Sequence, residues 1–285
     1  MKVSVITTVW NVGEWLERNI EAFLHQTLKE TELILVNDCS PDNSASIISK
    51  YKDPRIKVIN NKTNLGPGVS RQIGLDNSIG EYTIFVDGDD WLHEDCLEIM
   101  YNEAISQNAD MVSCRTYQHN DYGLLRGHSK DYIYIKEDFY NFINNKLIKR
   151  WIWDKTPYSP LRFREDINTL FRCLEFSKKT IKLDYVGYHY NLRPNSLTST
   201  PNITGKSFLY NALAAIENLN FIKERNIEPS EIFNRFYNIN NVRQLHALAV
   251  FFLKEDNMYI QEYKEIEEFF KNNNVRPLQL KKKDK

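Results

Sequence analysis

The sequence predicts an α/β fold: a mainly parallel central sheet flanked by helices, followed by a helical C-terminal extension. Three observations carry this expectation. Over the first 115 residues, short runs of β-formers alternate with segments of helical period, the pattern of βαβ units. Two polar, turn-forming clusters, "NDCSPDNS" and "DGDD", fall just after two of those runs, where open parallel sheets bind ligands. Beyond residue 200 the strand pattern stops and apolar residues recur only at helical spacing.

Taken in order, Val3 to Thr8 reads as the first strand. Val12, Trp15, Leu16, Ile20, Phe23 and Leu24 then fall on one helical face, which packs on the sheet. Leu33 to Val36, Ile56 to Ile59 and Tyr82 to Val86 are the next strands, and shorter helices are expected at Asn43 to Tyr51, Val69 to Ser78 and Glu94 to Gln107. From Thr116 to Thr200 the pattern is irregular and aromatic, with the stretch "WIWDKTPYSPLRFREDINTLF", and reads as the wall of an active site. After "NSLTSTPN" come Phe208, Leu209, Leu213 and Ile216, a long amphipathic stretch from Ile232 to Leu253, then Ile266, Phe269 and Phe270. The expected divisions are 1–115, 116–200 and 201–285, ending in a solvated "KKKDK" at Lys281 to Lys285.

Composition narrows the function. With 37 Lys and Arg against 38 Asp and Glu, the chain lacks the broad basic field of a nucleic-acid binder. Apolar residues at 42% exclude wholesale disorder. Cys39, Cys96, Cys114 and Cys173 form no C-x-x-C pair, which argues against a zinc knuckle or disulfide framework and fits a reducing cytoplasm. "MKVSVITTVW" enters a strand directly, so no signal peptide is read. The longest apolar run, Ala247 to Leu253, falls far short of the roughly 20 residues that span a bilayer, which leaves peripheral attachment open.

Asp87, Asp89 and Asp90 crowd three like charges into four positions, broken only by Gly88. Such crowding needs an offset, and a hard divalent cation, Mg²⁺ or Mn²⁺, supplies one while bridging carboxylates to substrate phosphates. On an extended segment Asp87 and Asp89 point the same way, and Gly88 lets backbone and ligand come close. Taken alone, the tripeptide equally describes a strand-ending Asp turn.

Its company changes that balance. "VSVITTVWN", "LILVNDCSPDNS", "NLGPGVSRQIGL" and "GEYTIFVDGDDW" follow one another in order, and with them the chain resembles the family 2 glycosyltransferases of the Rossmann-like GT-A fold. The likeness continues through "WDK", "REDINTLF" and "YHYNLRPNSLT" to about residue 200. It implies inverting transfer of a sugar from a nucleotide diphosphate, with a divalent metal, to a glycan or glycolipid acceptor in bacterial surface-polysaccharide synthesis. The setting it implies is the cytoplasmic side of the inner membrane, with peripheral contact or a homodimer through the C-terminal helices as open roles.

Carried onto these residues, the resemblance assigns Thr8 and Trp10 to the nucleoside pocket, Trp10 standing where Tyr is usual. Asp38 matches the acid that accepts a hydrogen bond from the base, its partner acid being replaced by Asn37, and uracil is the expected base. Arg71 matches an arginine near the nucleotide, Asp87 the acid at ribose and metal, and Asp89 the direct metal ligand, with Gly88 between them. Asp90 is expected to cap the following helix or orient its neighbours. In Glu165-Asp166, Asp166 matches the base that takes the acceptor proton; two acids at a helix start also serve as N-cap and dipole complement. Arg193 and Ser196 match a segment that closes over the phosphates, with His189 nearby as a third candidate. The acceptor is expected over Trp151 to Asp166, with Trp91 and Trp153 as candidate contacts. Two rival readings are a sugar-1-phosphate nucleotidyltransferase, against which the lack of a glycine-rich loop after the first strand counts, and a non-catalytic sugar-binding or scaffold protein.

Overall fold

The computed structural model of the chain describes residues 1–119, 131–134, 143–194, 203–253 and 260–277. The chain separates into two compact units, Met1–Pro194 and Asn195–Lys285. The first holds β1 (Val3–Val9), α1 (Gly13–Leu24), β2 (Thr31–Asn37), α2 (Ser44–Ser49), β3 (Ile56–Asn60), α3 (Pro67–Asp76) and β4 (Tyr82–Phe85). It continues with β5 (Trp91–Leu92), α4 (Cys96–Ser106), β6 (Met111–His119), β7 (Asp131–Tyr134), β8 (Lys146–Lys149), α5 (Arg150–Trp153), α6 (Glu165–Phe176) and β9 (Thr180–Asn191). The second holds α7 (Ile203–Glu224), α8 (Glu231–Phe236), α9 (Ile239–Leu253) and α10 (Ile260–Asn272).

The strands form one sheet in the order β3-β2-β1-β4-β8-β6-β9-β5, with β7 alongside β6. β1, β2, β3 and β4 pair in parallel, as the alternating pattern predicts, in the register Val3 with Thr31 and with Tyr82. The other half is mixed: β8 runs antiparallel to β4 and β6, while β9 runs parallel to β6 and antiparallel to β5. Leu16 and Ile20 of α1 are fully buried in a cluster with Val5, Leu33 and Ile84 of the sheet. Each such side chain contributes about 1.5–3 kcal/mol by leaving water.

Two expectations need correction. The irregular stretch after residue 116 contains regular strands, among them the 12-residue β9. The side chains of β9 are interrupted at Gly187, and the reason is packing: a Cβ there would lie 2.6 Å from Cys96 Sγ and 3.2 Å from Cys114 Sγ, so glycine lets α4 and β6 close on β9. In the second unit the stretch from Ile232 to Leu253 breaks into two helices at Tyr237, which is extended. Ser230 caps α8 by accepting from Phe233 N, and Asn238 Oδ1 accepts from Asn241 N at the start of α9. α7 packs against α9 and α10. Among the described residues no helix is long and apolar enough to cross a membrane.

Candidate active site

The acidic cluster lies where the parallel strands end. It is not the extended segment that its sequence suggests: Asp90 N donates to Asp87 O at 2.9 Å and closes a turn. α1 holds that turn from below, because the buried Asn19 donates to Asp87 O at 3.1 Å and to Asp90 O at 2.8 Å. A Cβ at Gly88 would stand 2.8 Å from Val12 Cγ2 and 3.1 Å from Thr8 O, so glycine is what lets the turn lie against the end of β1. Asp90 is 1% exposed and does not cap α4, whose N-cap is Asp95. It accepts from Tyr188 OH at 2.6 Å and from Asn191 N at 2.8 Å, and so orients its neighbours. Burial, with the charges of Asp89 and Asp87 beside it, holds its carboxyl well above the usual range.

Arg71, almost wholly buried, joins the two halves of the site. Its Nη2 donates to Asp87 Oδ1 at 2.7 Å and its Nη1 to Glu165 Oε1 at 2.6 Å. Asp87 keeps 31% of its side chain exposed and takes a second bond, at 2.7 Å, from Asn144 Nδ2. Asp89 is paired with Arg193, whose guanidinium also sits 5.1 Å from the Trp15 ring centre. Burial pushes the Glu165 carboxyl up to about 7, with Arg71 pulling it back, and burial raises Asp166 against the same pull. A raised carboxyl suits a general base better than an ordinary one. Arg164, not an acid, is the N-cap residue of α6, and its φ is 66°.

Asp38, just past β2, is 3% exposed. Its Oδ1 accepts from Asn61 Nδ2 and Leu65 N, and its Oδ2 from Gly66 N, all at 2.8–2.9 Å, which leaves one acceptor position on Oδ2. Trp10 is 46% exposed just past the end of β1. Ser196 lies outside the described residues.

Trp91 has its face covered by Arg18, whose Cζ is 3.4 Å from the ring centre, and it stacks on His189 at 5.1 Å. His119 Nε2 and His189 Nδ1 are 3.1 Å apart. Burial first, then His119, His93 and Arg18, bring His189 down to about 4, so it is no cation for phosphates near neutral pH. Trp153 packs edge-on against Phe85 at 5.5 Å and beside Tyr158. The reading of the sequence missed Asn19, Asn144 and Tyr188. Nothing in their surroundings marks them, since polar residues on a helix, in an "NN" turn and in an aromatic strand are ordinary.

The family model described as glycosyl transferase family 2 matches residues 4–171. Glycosyltransferase GlyA of Streptococcus pneumoniae is 31% identical over 219 residues, which cover 69% of this chain and 31% of GlyA. The chain thus spans about a third of that relative. Among solved structures, S. aureus TarS 1-349 in complex with UDP-GlcNAc matches with a TM-score of 0.65 at 19% identity, covering 96% of this chain and 92% of that one. The mannosyltransferase PcManGT from Pyrobaculum calidifontis, in complex with GDP-Man and Mn²⁺, matches with a TM-score of 0.57 at 13% identity, covering 95% and 75%. At these identities the structural likeness concerns the fold.

Proposed function

The chain belongs to glycosyl transferase family 2, and from that membership we propose that it moves a sugar from a UDP-linked donor to a hydroxyl of a glycan or glycolipid, inverting the anomeric carbon. The observation that carries this reading is the Arg71 bridge. One guanidinium ties Asp87, at the donor end, to Glu165, the neighbour of the proposed base Asp166. TarS, solved with UDP-GlcNAc, and PcManGT, solved with GDP-Man, share the fold, which supports a nucleotide-sugar donor; the choice of uridine is taken from the family resemblance.

In the transfer the acceptor oxygen bonds to the anomeric carbon as the bond to the diphosphate oxygen breaks; the diphosphate leaves with the electron pair and Asp166 takes the hydroxyl proton. Arg193, beside Asp89, offers a cation to the departing diphosphate. Asp87 and Asp89 present only oxygen donors, which fits Mn²⁺ or Mg²⁺, and such an ion would supply charge neutralisation of the diphosphate. Among the described residues no group of three or more His, Cys, Asp or Glu forms a metal cage, so water and diphosphate would complete the shell. We assign the product to a bacterial surface polysaccharide made at the cytoplasmic face of the inner membrane.

The test is a screen of nucleotide sugars with Mn²⁺, read as release of the nucleoside diphosphate. Asp89→Ala should abolish turnover and weaken Mn²⁺-dependent UDP binding. Asp166→Asn should bind UDP as the parent does while transfer falls by about 10²–10⁴-fold. Normal turnover by the Asp166→Asn variant would remove the base role, and pyrophosphate made from UTP and a sugar phosphate would replace transfer by nucleotidyl chemistry.

A further inference from the structure

We propose that Asn144 is a positioning residue of the donor site, setting the carboxylate of Asp87 and coupling it to Asp90 through the Tyr188 hydroxyl. The inference rests on the donor-site reading above. Asn144 Nδ2 donates to Asp87 Oδ2 at 2.7 Å and lies 3.4 Å from Tyr188 OH, which in turn donates to Asp90 Oδ2 at 2.6 Å. The Asp87 carboxylate is therefore gripped on both oxygens, by Asn144 on one and Arg71 on the other, and cannot turn without breaking a bond. Three separate parts of the chain meet in this linkage: the acidic turn after β4, the residues just before β8, and β9.

The orientation of the amide follows from chemistry. A carboxylate only accepts, so the nitrogen of Asn144 faces Asp87 and Oδ1 points away. That Oδ1 is buried and accepts no hydrogen bond among the described residues. A buried acceptor without a donor costs stability, so a side chain chosen only to stabilise this spot would be small and apolar. Asn144 is thus a local compromise: poor for packing and well placed for holding an acid that stays 31% exposed toward a ligand. Stability and ligand binding should separate when it is changed.

The test uses the 285-residue chain, titrated calorimetrically with UDP in saturating MnCl₂ and unfolded thermally. Asn144→Ala should melt within about 2 °C of the parent or above it, while its UDP affinity falls by about fivefold or more. Tyr188→Phe should weaken UDP as well, and the double variant should lose less than the product of the two single losses, because both changes cut one linkage. An Asn144→Ala protein that binds UDP like the parent, or that melts more than about 5 °C lower, overturns the proposal and leaves Asn144 as a structural residue. If the parent binds no nucleoside diphosphate with Mn²⁺, the donor reading falls, and this inference with it.

Discussion

Asp87 and Asp90 stand three positions apart on one turn, yet Asp87 is partly open and clamped by Arg71 while Asp90 is sealed under Tyr188. Residue type foretold neither; the neighbours supplied by distant strands did. Lys146 shows the same dependence on surroundings. It is 1% exposed at the start of β8, its Nζ donates to Asn145 Oδ1 at 2.8 Å, and burial brings its ammonium down to about 7 despite Cys114 and Asp166 nearby. Unfolded, the same lysine keeps its ordinary value of about 10.4. Between these values the unfolded chain holds a proton that the folded chain has released, so stability rises with pH across that window. Lys146→Met should remove this slope, seen as urea midpoints that no longer rise between about pH 7 and about pH 9. Unchanged midpoint differences would mean that the lysine stays charged in the folded chain.

Among the elements, α1 does more than cover the sheet. Its apolar face, with Leu16, Ile20 and Phe23 buried, was legible because helical period survives in any one window of sequence. Its polar contribution was not. Asn19 holds both ends of the acidic turn, and Gln26, just past the helix, donates to His93 O at 2.8 Å and accepts from Leu97 N at 3.1 Å. Two side chains thus fix the segment from the acids to α4. Asn19→Ala removes the donor to the buried Asp90 carbonyl, leaves Asp87 O with Asp90 N alone, and should lower stability by about 1–3 kcal/mol in chemical denaturation. The same variant should loosen Mn²⁺-dependent UDP binding; full retention of both properties would show that the turn holds itself. β9, by contrast, was illegible because its register is set by β5 and β6 and its glycine by two cysteines from other elements.

At the scale of the molecule, the hydrophobic clusters of the sheet draw, among the described residues, on positions up to Tyr190. A fragment ending at Pro194 should therefore fold alone and unfold in one cooperative transition followed by circular dichroism, whereas a broad, non-cooperative melt would show that the sheet needs the helical unit. The sequence by itself determined that the first strands alternate with helices and pair in parallel, and that an acidic run follows the fourth strand, because these are written in periodicity and in short runs of residue type. Only the tertiary structure decided that Arg71 lies between Asp87 and Glu165 and that Asn144 grips Asp87. Those contacts join residues 16, 94 and 57 positions apart, and local pattern carries no information about which distant side chains a curled sheet will bring within hydrogen-bond reach.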